Sequence, residues 1–172
     1  MTNTVVETML STLIEQIVER HHSSLRSELP FLEERIAEMC RNHGQDIPSL
    51  FVVQQSLQNL RDDLLPHLEK EEGVLFPYIV ALEAARASGS ADPQACFPSV
   101  RFPIRVMLRE HDAALGMLRE IRSVTGNFSV PPGLCGNATE FYRRLQALET
   151  DLHEHIRLEN EVLFPRALQL EQ

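Results

Sequence analysis

Cysteine is scarce in this sequence: Cys40, Cys96 and Cys135 stand far apart, and no Cys-x-x-Cys pair occurs. An odd set of isolated thiols supplies neither a disulfide framework nor a thiolate metal site, and is the pattern of free thiols in a reducing compartment. Long apolar runs are missing too, since none approaches the roughly 20 residues that span a bilayer. The start, Met1-Thr2-Asn3-Thr4-Val5-Val6-Glu7, has no basic region followed by an apolar stretch, so no secretory signal is expected and the expected location is the cytoplasm. Positive charge is in deficit, with 16 Lys and Arg against 25 Asp and Glu and a formal charge of -9. Scattered basic residues in an acidic chain do not favour nucleic acid or an anionic membrane as partner.

Strand-like alternation is also absent, and helical periodicity fills the space. Over residues 4–41, Leu10, Ile14, Val18, Leu25, Leu29, Leu32 and Ile36 recur at helical spacings, with His22 on the same stripe. Pro30 removes a helical hydrogen bond and crowds the preceding turn, so a kink or break is expected near Ser27. After a turn over 42–49, a second helix is expected to about residue 86, with Leu57, Leu60, Leu64, His67, Glu71, Leu75, Tyr78 and Leu82 inward. Pro66 and Pro77 are expected to bend or interrupt it on either side of His67 and Glu71. A third helix over 100–124, or from just after Pro103, faces Ile104, Leu108, His111, Leu115 and Leu118 inward. Following a Gly- and Pro-rich connection, a fourth over 137–169 does the same with Phe141, Leu145, Leu148, Leu152, His155, Glu159 and Val162. With 172 residues this is one domain, an all-α antiparallel up-down-up-down four-helix bundle.

The polar residues on these inward stripes repeat. His67-x-x-x-Glu71 ends in Val74-Leu75-Phe76-Pro77, and His155-x-x-x-Glu159 ends in Val162-Leu163-Phe164-Pro165, 88 residues later. His22 and His111 lie 89 apart and precede those motifs by 45 and 44 residues. The arithmetic is that of a duplicated helical hairpin, approximately 4–87 and 98–170. A spacing of four places imidazole and carboxylate on one helix face.

Buried carboxylates lose their water shell and need partners, and a metal ion suits both them and the imidazoles. Four nitrogen and two oxygen ligands exceed one tetrahedral zinc and fit iron or manganese, with two ions more economical than one. In that arrangement Glu71 and Glu159 bridge the ions, His22 and His67 serve one half of the centre, and His111 and His155 the other, although the sequence does not assign each histidine to an ion. Positions left open would take oxide, water or a small diatomic.

Other polar residues fit this stripe less well. Glu69, Glu72, Glu161 and Asp112 are expected in solvent, with Glu72 an alternative ligand if the helix distorts at Gly73. His21, His43 and His153 fall off the ligand stripe, although His21 is placed for a hydrogen bond just outside the ligands. Tyr78 and Tyr142 are read as core or boundary residues, and the Val-Leu-Phe-Pro segments as core packing followed by a helical bend.

The ordered set His21-His22-x-x-Leu25-Arg26-x-x-Leu29-Pro30, Pro66-His67-x-x-x-Glu71-x-x-x-Leu75-Phe76-Pro77, Arg109-Glu110-His111-Asp112 and His153-x-His155-x-x-Leu158-Glu159-Asn160-x-Val162-Leu163-Phe164-Pro165 covers nearly the whole chain. It resembles the haemerythrin-like superfamily, most closely the di-iron domain of bacterial iron-sulfur cluster repair, or nitric-oxide-response, proteins. That resemblance implies two non-haem iron ions, oxo-bridged in some states. His22, His67, His111 and His155 match the terminal ligands, and Glu71 and Glu159 the bridging carboxylates.

By the same resemblance the function is resistance to nitrosative and oxidative stress, through iron donation to damaged iron-sulfur proteins or through nitric oxide chemistry fed by a reductase. The alternative is a sensor or carrier that binds oxygen or nitric oxide without turnover. Oxygen-carrying haemerythrins have a His-x-x-x-His pair and a late aspartate motif. Here Leu115 follows His111 at four, and Glu159 departs from the aspartate pattern, which argues against oxygen transport. The repair proteins also carry a short N-terminal domain with adjacent cysteines, so this chain is expected to be an excised domain or a short member.

Overall fold

The computed structural model describes residues 8–134 and 136–172; Thr4, where the first helix is expected to begin, and Cys135 lie outside the described residues. Four helical rods run through them. The first is α1 (Leu10–Gln16), a π-helical segment π1 (Ile17–His22) and α2 (Ser23–His43). In the second, α3 (Ser49–Lys70), π2 (Glu71–Leu75) and α4 (Phe76–Ser88) follow without a break. The third is α5 (Arg101–Val124), and the fourth joins α6 (Ala138–Leu158), π3 (Glu159–Leu163) and α7 (Phe164–Leu170). Contacts of α2 with α3 and α1 with α4 make the first two rods antiparallel, and α3 against α5 and α2 against α6 complete the bundle.

The prolines act differently from expectation. Pro30 sits inside an unbroken α2, and buried Leu25, Leu29 and Leu32 hold the rod against its neighbours on both sides of it. Pro66 likewise lies within α3. Pro77 and Pro165 follow π turns in which the Phe76 N–H bonds the Glu71 carbonyl and the Phe164 N–H bonds the Glu159 carbonyl, five residues back. A π turn widens the helix by one residue and leaves room where the proline ring would crowd the turn before it. The rods therefore continue as helix through the motif.

Two apolar clusters fill the bundle. The larger contains Leu25, Leu64, Leu68, Ala114, Leu152 and Ile156; the smaller contains Leu10, Ile17, Leu75, Phe76, Met107, Leu163 and Phe164. On every rod the polar candidates fall between the two: His22 between Ile17 and Leu25, Glu71 between Leu68 and Leu75, His111 between Met107 and Ala114, Glu159 between Ile156 and Leu163. A few residues expected to face inward, namely Val18, Tyr78, Leu108, Leu115 and Val162, are only half-buried. The π turns rotate the register at three of these positions. No helix among the described residues is long and apolar enough to cross a membrane.

Candidate metal centre

All six expected residues meet in the layer between the two clusters. His22, Glu71, His155 and Glu159 are 0% exposed, and His67 and His111 are 1% exposed. They form two overlapping sets, His22/His155 and His67/His111, each completed by Glu71 and Glu159, with ligand atoms within 4.8 Å of one another in each set. The expected grouping of His22 with His67 and His111 with His155 is therefore corrected. Each set takes one histidine from each half of the sequence, because the antiparallel packing brings π1 against α6 and α3 against α5.

Hydrogen bonds at the outer ring nitrogens fix how the imidazoles face. His22 Nδ1 donates to Glu72 Oε1 (2.7 Å), His67 Nδ1 to Glu110 Oε2 (2.9 Å) and His111 Nδ1 to Asn160 Oδ1 (2.8 Å). An N–H committed to an outer acceptor leaves the Nε2 lone pair pointing inward, the tautomer a metal requires. The Nε2 atoms of His22 and His155 face each other at 3.1 Å, as do those of His67 and His111. Two ligand nitrogens about 2.1 Å from a shared ion and at right angles about it would stand about this far apart.

Both oxygens of Glu71 and one of Glu159 are buried without a hydrogen-bond partner. Glu71 lies 3.3 Å from His67 Nε2 and 3.5 Å from His22 Nε2, and Glu159 Oε2 lies 3.0 Å from His111 Nε2. Converging lone pairs and orphaned carboxylate oxygens oppose folding unless positive charge lies among them. The donor set thus fits a bound cation.

In the metal-free chain, protons supply part of that charge. Burial pulls His67 down, but Glu71 and Glu110 outweigh it and raise the ring to about 9. His155 is raised as well, against its burial, by Glu159. His22, desolvated and facing His155, is lowered to about 4 despite Glu72. Burial and the facing Glu159 raise Glu71; around Glu159 burial is outweighed by His155 and His111, which hold it far below the ordinary carboxylate range.

The surroundings depart from expectation at four residues. His21 is buried, donates from Nδ1 to Asp151 Oδ1 (2.8 Å) and stacks against His155 with ring centroids 5.6 Å apart, because the π turn carries two adjacent histidines inward. Glu72 is half-buried and holds His22 from outside, with Arg26 Nη1 2.7 Å from the same oxygen. Although the helix does distort around Gly73, Glu71 remains the inward carboxylate. Glu110 and Asn160 were missed as outer partners; their positions directly before His111 and after Glu159 were the available signal.

Phe76 stacks on His22 and Phe164 on His111, closing the layer with apolar rings. Glu69, Glu161, Asp112 and His153 are exposed, as expected, whereas His43, expected in a turn, is the last residue of α2. Tyr142 packs in the larger cluster, while Tyr78 is half-buried and bonds Glu171. Cys40 is buried and Cys96 exposed, both free.

A four-helix bundle that converges four imidazoles and two carboxylates on one buried layer defines a cation-binding helical protein. The Hemerythrin HHE cation binding domain matches residues 13–167, and the chain belongs to that family. It is 35% identical over 92% of its length to the iron-sulfur cluster repair protein YtfE of Yersinia pseudotuberculosis serotype IB (strain PB1/+), of which it covers 66%. The iron-sulfur cluster repair protein DnrN of Neisseria gonorrhoeae is 31% identical over 90% of this chain and 89% of its own length.

Proposed function

We propose that the chain is a cytosolic non-haem di-iron protein of the nitrosative and oxidative stress response that supports iron-sulfur cluster repair. The observation that carries this reading is the pair of ligand sets sharing Glu71 and Glu159. The names of the similar Yersinia and Neisseria proteins supply the process. Two duplicated hairpins, approximately residues 4–87 and 98–170, each contribute half of the ligands. His22 and His155 would hold one ion and His67 and His111 the other, with Glu71 and Glu159 shared between the two sets. Iron bound there supplies a ferrous-to-ferric redox change and open positions for nitric oxide or oxygen.

The protein's own part is to hold that chemistry in a dry layer. Phe76 and Phe164 shield the histidines, while Glu72, Glu110 and Asn160 keep three Nε2 lone pairs inward. The partners this reading implies are nitric oxide or oxygen, a reductase and damaged iron-sulfur proteins.

The test is anaerobic reconstitution with ferrous iron, followed by a count of iron per chain and by transfer of labelled iron to an apo iron-sulfur protein. About two irons per chain and transfer of label are expected. Glu71→Gln and Glu159→Gln should each lower retained iron by at least half, because an amide does not bridge two cations as a carboxylate does. Full retention and unchanged redox behaviour in both variants would overturn the bridging assignment.

A further inference from the structure

The duplication that builds the centre is not symmetric around it. Stepping 88 or 89 residues along the chain takes His22 to His111, His67 to His155, Glu71 to Glu159 and Glu72 to Asn160. It also takes His21 to Glu110. In one half Glu110 accepts from His67 Nδ1 at 2.9 Å. In the other, the equivalent position is His21, which turns to Asp151 and lays its ring against His155. Consequently His155 Nδ1 is buried with no hydrogen-bond partner, alone among the four candidate ligands.

Anchoring therefore differs between the two ligand sets. His67 and His111 both have outer acceptors, Glu110 and Asn160, and Lys70 Nζ pairs with Glu110 in turn. In the other set His22 has Glu72, but His155 has only a stacked ring. An outer acceptor orients an imidazole and raises its basicity, and losing one costs roughly 10–100-fold in metal affinity. Two clefts lie beside the layer, one reaching the ligands His67 and His111 directly and the other reaching only His21, the ring stacked on His155. The first is also lined by Glu110, the second by Asp151 and Glu154.

Resting on the dinuclear reading above, we propose that the two positions are inequivalent and that the His22/His155 position releases its ion first. The position held by His67 and His111 retains its ion, with Glu110 and Asn160 as positioning residues. One labile and one retained ion would let the chain deliver metal without emptying its own layer.

The test uses the full chain loaded anaerobically with ferrous iron and counted, then mixed with excess ferrous chelator while complex formation is followed in time. Two phases of equal amplitude are expected, with rates at least about tenfold apart. Glu110→Ala should accelerate the slow phase by roughly 10–100-fold and leave the fast phase unchanged. Asn160→Ala should act on the same phase, and Glu110→Gln, which keeps an acceptor, should restore most of the slow rate. Glu72→Ala should accelerate only the fast phase. Release of both ions in one phase from the parent chain overturns the inference, as does acceleration of the fast phase by Glu110→Ala or Asn160→Ala. Fewer than two ions per chain at the outset would overturn the dinuclear reading itself, and the inference with it.

Discussion

Glu71 is fully buried with both oxygens unpartnered, so without a metal it opposes the folding of its own bundle. Leucine has nearly the same volume and no charge to desolvate, but a buried ion pair is replaced by packed apolar groups without loss only when both partners go, and Glu71 is paired with His67, whose proton it helps to hold. Glu71→Leu combined with His67→Leu should therefore stabilise the metal-free chain by about 1–3 kcal/mol relative to Glu71→Leu alone, while abolishing the added stability that metal gives the parent. Thermal unfolding of the parent and both variants, with and without ferrous iron, checks this; a metal-free double variant no more stable than Glu71→Leu alone would show that His67 is not held charged by Glu71. The six inward residues were legible in the sequence because each sits on an apolar helical stripe and recurs after 88 or 89 positions. Their outer partners were not, since Glu72 reaches His22, Glu110 reaches His67 and Asn160 reaches His111 across rods, and periodicity within one helix carries no trace of the neighbour's rotation. The pairing of histidines into sets was hidden for the same reason.

At the scale of elements, the π turns were the feature that helical periodicity could not express. A stripe drawn at 3.6 residues per turn puts His21 and His22 on different faces, whereas π1 buries both. Pro77 and Pro165 marked the place in π2 and π3, but a proline announces only that a bond is lost, not that the helix continues by widening. The start of α1 was equally invisible, because its cap comes from another rod. Glu83 on α4 accepts from the Leu10 N–H (2.6 Å) and the Ser11 N–H (2.9 Å), where a local capping side chain is lacking. Burial pushes the Glu83 carboxyl up, but these two donors outweigh it and hold it below its ordinary value. A lowered folded-state value means the contribution is complete above the unfolded value of about 4 and disappears as pH falls through the folded one. Glu83→Gln should cost about 1 kcal/mol at neutral pH, typical of a lost helix cap. Denaturant unfolding at pH 7 and below pH 4 should show the gap between parent and variant closing in acid; a gap independent of pH would assign the cost to packing.

Over the whole molecule, the metal layer lies between two apolar clusters of unequal size and touches all four rods. The larger cluster joins α2, α3, α5 and α6 by long interdigitated stripes, whereas the smaller is made of short α1, α4 and α7 with the first turns of α5. Rods this short have little intrinsic helical stability and rely on what they pack against. Ions held by the two sets would tie π1, π2, α5 and π3 together at the base of that smaller cluster, through His22, Glu71, His111 and Glu159 respectively. Binding to the folded state alone adds about 4 kcal/mol when free metal exceeds the dissociation constant a thousandfold. That stabilisation is delivered where the smaller cluster begins, and local opening follows local contact density. Removing metal with a chelator should therefore speed amide hydrogen exchange most in α1, α4 and α7, by about a hundredfold or more, with α3 and α6 changing least. Exchange that rises equally in all four rods would mean that the bundle opens as one unit and that the layer secures both clusters alike.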